Sequence, residues 1–338
     1  MKLHSAIIAA ALVLASCGGN QQKASDPLAD TGRTQRTENL LANLMALGDS
    51  CVYLFGHQDD TVYGVGWSGD EDHSDVKSVC NDLPALLSFD LGHIEEGDTV
   101  NIDGVSFHRI RQEAIRHYDR GGMVSLSWTL PQAGVSKEQV DPVADFLNSL
   151  ETPYGVKVPV MLRLRRYQTR QLWHTIAERL KEKNVTNVLF AYSADATPTA
   201  DESKYLEQYP GDDIIDLLGL DCYCMAPDAD TAQIAGYAAM LDRNLEMVSR
   251  VAKQHQKAVA LTETGYEGLK TTDWWTHTLV PVLAKHPVSY VLVWRNAHNQ
   301  PGCFYAPYPG QQSSSDFIRF YNDKQTLFLH DVNGLYLK

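Results

Sequence analysis

A single (β/α)8 barrel is the fold class this sequence predicts, and three observations predict it. Eight short apolar, β-branched runs recur along the chain. Stretches with apolar residues three and four apart separate them, so each run needs a crossover to reach the next, which is how parallel strands are connected. The length, 338 residues, suits one barrel of about 250 residues with additions and needs no second domain. An open doubly wound sheet shares this alternation, but eight runs are the number that closes.

The expected strands are residues 52–57, 85–91, 122–128, 158–164, 188–193, 214–223, 258–264 and 289–295. Helices are expected at 107–120, 167–183, 235–255 and 273–286, each with an apolar stripe. A last short helix at 313–321 opens on serines suited to capping.

Ahead of these elements, Met1-Lys2-Leu3-His4 and the apolar stretch 6–15 have the charged start and short core of an export signal. The core is too short for a membrane span of ~20 residues. It ends Leu14-Ala15-Ser16-Cys17, which resembles a bacterial lipoprotein signal and implies lipidation of Cys17. We therefore expect a signal peptide at 1–17, a polar flexible tether at 18–37 and the barrel domain at 38–338. The anchor would hold it to a bacterial membrane, at the outer membrane, on the cell surface or in the periplasm. Export permits disulfides, yet Cys51, Cys80, Cys222, Cys224 and Cys303 match no zinc spacing and read chiefly as small apolar side chains.

The net charge of −13 comes with scattered Lys and Arg, which excludes a nucleic-acid backbone as partner and disfavours strongly anionic polysaccharides. A neutral ligand fits best, and a monomer is expected.

A barrel of this kind works at the carboxyl ends of its strands. There the sequence offers His57 with Asp59 and Asp60, then Trp67, then Asp90 and His93, Trp128, Asp221 and Tyr223, Glu263, and Trp294 with Arg295. Aromatic faces stack on sugar C–H groups while polar side chains bind hydroxyls, so this mouth suits a carbohydrate. Single members have plainer readings: Trp128 or Trp294 as packing, and His57 or His93 as satisfied structural histidines. Their spacing with Asp59 or Asp90 fits no known metal motif, and no metal or organic cofactor is expected. Glu263, in Ala258-Val-Ala-Leu-Thr-Glu263-Thr-Gly265, is the candidate nucleophile, with Tyr223 or Arg295 as the donor that aims it.

Together these segments resemble the β-mannanases of glycoside hydrolase family 26, in particular lipoprotein members from gut Bacteroidetes. The resemblance runs from about Arg36 to the carboxyl end. It rests on Phe55-Gly-His-Gln-Asp59, Ser88-Phe-Asp-Leu-Gly-His93, Leu261-Thr-Glu-Thr-Gly265, Tyr290-Val-Leu-Val-Trp-Arg-Asn296 and Tyr305-Ala-Pro-Tyr-Pro-Gly310. It implies a (β/α)8 barrel and retaining hydrolysis of β-1,4-mannan, glucomannan or galactomannan. It also implies Glu263 as nucleophile beside Tyr223, Trp294 as sugar platform, and an acid/base glutamate on strand four. His57, Trp67, His93, Trp128 and Arg295 would join in binding substrate.

The acid/base does not carry over. Where the family has a His-Glu pair and a tryptophan-rich loop, this chain reads Arg163-Leu164-Arg165-Arg166-Tyr167-Gln168. After strand three, Ser127-Trp128-Thr129 stands where the family has Ser-Trp-His, and both loops look shortened. Glu138, Asp141 and Glu178 should lie on helices facing away, leaving Glu95 and Glu96 as distant substitutes. Without a proton donor the rate falls by about 10²- to 10⁴-fold. The alternative is therefore a surface lipoprotein that binds manno-oligosaccharides without efficient cleavage.

Overall fold

The computed structural model describes residues 28–29, 31–225 and 228–338. Cys17, the rest of the expected signal and most of the expected tether lie outside the described residues.

Eight parallel strands form the barrel: β1 Tyr53–Gln58, β2 Leu86–Asp90, β3 Met123–Thr129, β4 Val160–Arg165, β5 Val188–Asp195, β6 Leu217–Cys224, β7 Ala258–Tyr266 and β8 Val288–Val293. Each pairs with the next in sequence, and β1 pairs with β8 from Leu54 opposite Tyr290 to His57 opposite Val293, which closes the ring. All eight expected strands are present, with edges moved by a few residues. The sixth starts later than expected, at Leu217; just ahead of it Asp216 still donates its N–H to the Phe190 carbonyl at 2.9 Å, while its carboxylate binds the Arg33 guanidinium at 2.8 Å through both oxygens. A two-residue strand, Thr326–Leu327, adds to the outside of β1.

Alternation along the strands divides the apolar side chains between two cores. Leu54, Leu86, Met123, Met161, Leu189, Leu217, Ala260 and Leu292 point inward and fill the lower half of the barrel. The other set, including Phe55, Phe89, Leu126, Leu162, Leu218 and Val291, packs outward against the helices.

A helix at Gln35–Asp49 floors the barrel and starts three residues inside the stretch expected to be tether. Thr34 caps it, and its Leu40 and Leu44 are fully buried in the inner core. Asn39 and Asn43 donate to the carbonyls of Leu335, Tyr336 and Leu337, so both ends of the folded chain meet on the floor.

The helices Phe107–Asp119, Arg170–Glu182 and Thr231–His255 lie within a few residues of where the apolar periodicity put them; Ser314–Tyr321 is present too, although the Ser313 side chain makes no capping hydrogen bond at its start. The stretch 273–286 is instead a π-helical turn, Trp275–Leu279, running into Val280–Leu283. Pro281 has no N–H to give the His277 carbonyl, and the wider turn accommodates that loss. Among the described residues no helix is long and apolar enough to cross a membrane, and the five cysteines there form no disulfide.

Candidate active site

Glu263 sits near the carboxyl end of β7, on the inner face and only 3 % exposed. Arg163 and Arg165 of β4 are two apart, so both point inward while Leu164 between them turns to the outer core. Their guanidiniums converge on one oxygen of Glu263, with Arg163 Nη2 at 2.5 Å and Arg165 Nε at 2.6 Å from Oε1. The Tyr223 hydroxyl donates to Oε2 at 2.9 Å. Both carboxylate oxygens are therefore occupied. Arg295, the other donor considered for this role, turns instead to Asp103 at 3.2 Å and the Tyr63 hydroxyl at 3.3 Å.

Two further carboxylates flank the arginines. Arg163, 1 % exposed, reaches Asp221 through Nη1 at 3.0 Å, and Asp221 also accepts from Ser193 at 2.7 Å and Thr262 at 2.9 Å. Arg165 faces Asp90 at 3.5 Å, and Asp90 accepts from Ser127 and Thr129 at 2.7 and 2.8 Å. Across the mouth the charges run Asp90, Arg165, Glu263, Arg163, Asp221, alternating in sign. Burial alone would raise the pKa of Glu263, but the two guanidiniums outweigh it and hold the carboxyl below its ordinary range. Asp221 shares only one arginine, so burial dominates and lifts it to about 6.

The connection from β4 to the next helix is only residues 166–169, and both Arg166 and Tyr167 adopt left-handed backbone, at φ 53° and 35°. Such angles cost non-glycine residues of order 1 kcal/mol each. Gln168, donating to the Ser193 carbonyl at 2.5 Å, and Thr169, capping the helix, hold the turn closed. The short loop carries no acid into the mouth.

Among the expected ligand-binding residues, Trp294 and Tyr223 are half-buried at the mouth beside Glu263. The Arg165 guanidinium lies 4.3 Å from the Trp294 ring centre and covers one of its faces. Tyr305 stands edge-on to Tyr223 at 5.9 Å and lies against Gly265, where a β-carbon would collide with its ring. Trp67 is half-buried, stacked on His73 at 4.3 Å with its indole N–H held by Asp75 at 2.8 Å. His93 is exposed.

Two expectations of ligand contact need correcting. Trp128 is 0 % exposed and donates to Glu95 at 2.9 Å, so it packs the wall and ties up the acid that stood as a substitute donor. His57 is 1 % exposed and held by Asp60 at 2.7 Å, with no surface to offer a ligand. In both cases the side chain at a strand end turned into the wall because a carboxylate was waiting there. Glu138, Asp141 and Glu178 do lie outside the barrel, and Glu96 is exposed. Among the described residues no three His, Cys, Asp or Glu side chains are grouped to hold a metal ion.

The sequence reading passed over the paired arginines. Their signal was present: charges at alternate positions of an otherwise apolar strand must share its inner face, and there they need anionic partners.

Comparison with known proteins agrees with this architecture. The profile of glycosyl hydrolase family 26 matches residues 135–263. A solved β-mannanase of that family from Bacteroides ovatus is 42 % identical, with a TM-score of 0.84 over 90 % of this chain and 98 % of its own. A modular endo-β-1,4-mannanase from Cellulomonas fimi is 26 % identical, with a TM-score of 0.77 over 92 % of this chain and 80 % of its own. The mannan endo-1,4-β-mannosidase of Bifidobacterium adolescentis is 25 % identical over 90 % of this chain, which spans 36 % of that longer protein's length. On fold, strand order and relatedness, this chain belongs to glycoside hydrolase family 26.

Proposed function

We propose that this protein acts on β-1,4-mannan, with Glu263 attacking the anomeric carbon in a retaining displacement. The observation that carries the proposal is Glu263 itself, ionised at the end of β7 with the Tyr223 hydroxyl 2.9 Å from Oε2. A carboxylate kept charged and aimed by a phenol is equipped to attack, and half-buried Trp294, Tyr223 and Tyr305 around it offer faces to a pyranose. Its relatives' names as mannanases supply the substrate class.

The arginine clamp favours a second reading, binding with little cleavage. Attack needs a lone pair that Arg163 and Arg165 now occupy, and no carboxylic acid shares a hydrogen bond with Glu263. Release of reducing sugar from β-mannan and calorimetric binding of mannohexaose separate the two. Turnover that disappears in Glu263→Ala supports the first; binding without turnover supports the second; absence of both rejects mannan as the ligand.

We further propose a lipid anchor at Cys17 that keeps the barrel on an extracytoplasmic bacterial membrane. Failure of the full-length protein to incorporate labelled palmitate in a bacterial host would reject it.

A further inference from the structure

Breaking a glycosidic bond with a poor leaving group needs a proton at the departing oxygen, and Glu263 cannot both attack and supply it. Most carboxyl groups at the mouth are already engaged. Asp90 faces Arg165 and accepts from Ser127 and Thr129, Glu95 accepts from Trp128, and Asp103 pairs with Arg295. Asp221 is saturated by Arg163, Ser193 and Thr262.

Asp195 differs from all of these. It ends β5 opposite Asp221, two residues beyond Ser193, whose hydroxyl points inward to Asp221 and Thr262 at 2.7 and 2.6 Å. Side chains on a strand alternate, so Asp195 continues on that inner face one step nearer the rim. The Ala196 N–H donates to the Asp221 carbonyl at 2.8 Å and fixes the strand end. The carboxyl itself is exposed, with no hydrogen bond or ion pair to another described residue. Although the residue is exposed at the rim, the protein packed around it withdraws part of the carboxyl from water and raises its pKa, and the negative charge of Glu263 raises it further, with Arg165 and Arg163 partly offsetting both. The electrostatics thus push the two carboxyl groups apart, Glu263 downward and Asp195 upward, which is the direction of difference a retaining pair requires.

We propose that Asp195 is the proton donor of this site, standing in for the glutamate missing from β4. The assignment rests on Glu263 as nucleophile. As Glu263 bonds to the anomeric carbon, the bond from that carbon to the leaving oxygen breaks, its electron pair goes to the oxygen, and the Asp195 proton joins it there. Water then attacks the anomeric carbon and gives a proton back to the Asp195 carboxylate. The electron pair of the glycosyl bond returns to Glu263, leaving the enzyme unchanged and one sugar hydroxyl freed on each side.

The test compares wild type with Asp195→Ala and Asp195→Asn on β-mannan and on dinitrophenyl β-mannoside, whose leaving group departs without protonation. Both variants should lose about 10²-fold or more on mannan; on the aryl mannoside they should keep kcat/KM, since its first step needs no proton, while kcat falls because the second step has lost its base. Azide should speed that cleavage in the alanine variant and yield β-mannosyl azide. Retained aryl activity shows that the variants fold. Mannan turnover within twofold of wild type overturns the donor role, as does equal loss on both substrates. A wild type that cleaves the aryl mannoside but not mannan also overturns it, while leaving Glu263 as nucleophile intact. A wild type inactive on both rejects the nucleophile, and the donor with it.

Discussion

Arg163 and Glu263 lie 100 residues apart in sequence, on β4 and β7, and meet across the barrel mouth at 2.5 Å. The strand expected to bring an acid to the nucleophile brings a base-saturating cation instead. That exchange of charge is the main chemical difference between this site and one built from two carboxyl groups, and it sets the consequences below.

Arg163 is the tie between two buried acids, so its loss strands both. Arg163→Met should destabilise the fold by about 3–5 kcal/mol, since an uncompensated buried charge remains when one partner of such a pair is removed. Urea unfolding at neutral pH measures this, and a change under about 1 kcal/mol would show that the acids find other partners.

Arg165 covers the Trp294 ring, and a sugar seeking that face must displace it. A cation over an aromatic ring is worth about 0.5–2 kcal/mol, which is roughly 2- to 30-fold in affinity. Arg165→Ala should tighten mannopentaose binding by a factor in that range, read by calorimetry. Unchanged or weaker binding would remove Trp294 as a platform.

Burial lifts Asp221 to about 6 from its ordinary 3.8. A carboxyl that holds its proton more tightly in the folded state stabilises the fold fully below its unfolded value, and loses that contribution as pH rises through the folded one. Glu263 is held low and works in the opposite sense, its contribution complete above the ordinary carboxylate range and lost as pH falls through its folded value. Asp221→Asn should therefore abolish a decline in unfolding free energy between about pH 4 and 6 and spare the loss at lower pH. An unaltered decline in the variant would assign it to other buried acids whose pKa is also raised, such as Asp59 or Asp216.

Trp128 separates packing from binding. Trp128→Ala should cost about 3–5 kcal/mol of stability, as large-to-small changes in a core do. Affinity for manno-oligosaccharides, measured well below the melting transition, should change little. A stable variant with lost affinity would reverse the assignment of this residue to the wall.

What could be read from the sequence was set by periodicity, and what could not was set by pairing. The barrel strands announced themselves because parallel strands buried on both faces are continuous apolar runs, and Glu263 stood out because an acid at the end of such a run needs a reason. The proximity of Tyr223 followed from the resemblance. The destinations of Trp128 and His57 did not, because each depends on a carboxylate brought close by the fold: Glu95 from another strand's end, and Asp60 folded back by the left-handed turn at Asp59. The helix at Gln35–Asp49 was missed despite its leucines at three- and four-residue spacing, because the polar stretch ahead of it masked the start of the folded chain.

The chain enters the barrel and leaves it on the same floor, where Asn39 and Asn43 clasp the carbonyls of Leu335 to Leu337. A handle placed at either extremity therefore leaves the opposite opening unshaded. Molecules mounted side by side by that end would turn their crevices the same way, as an array across which one long polymer could lie.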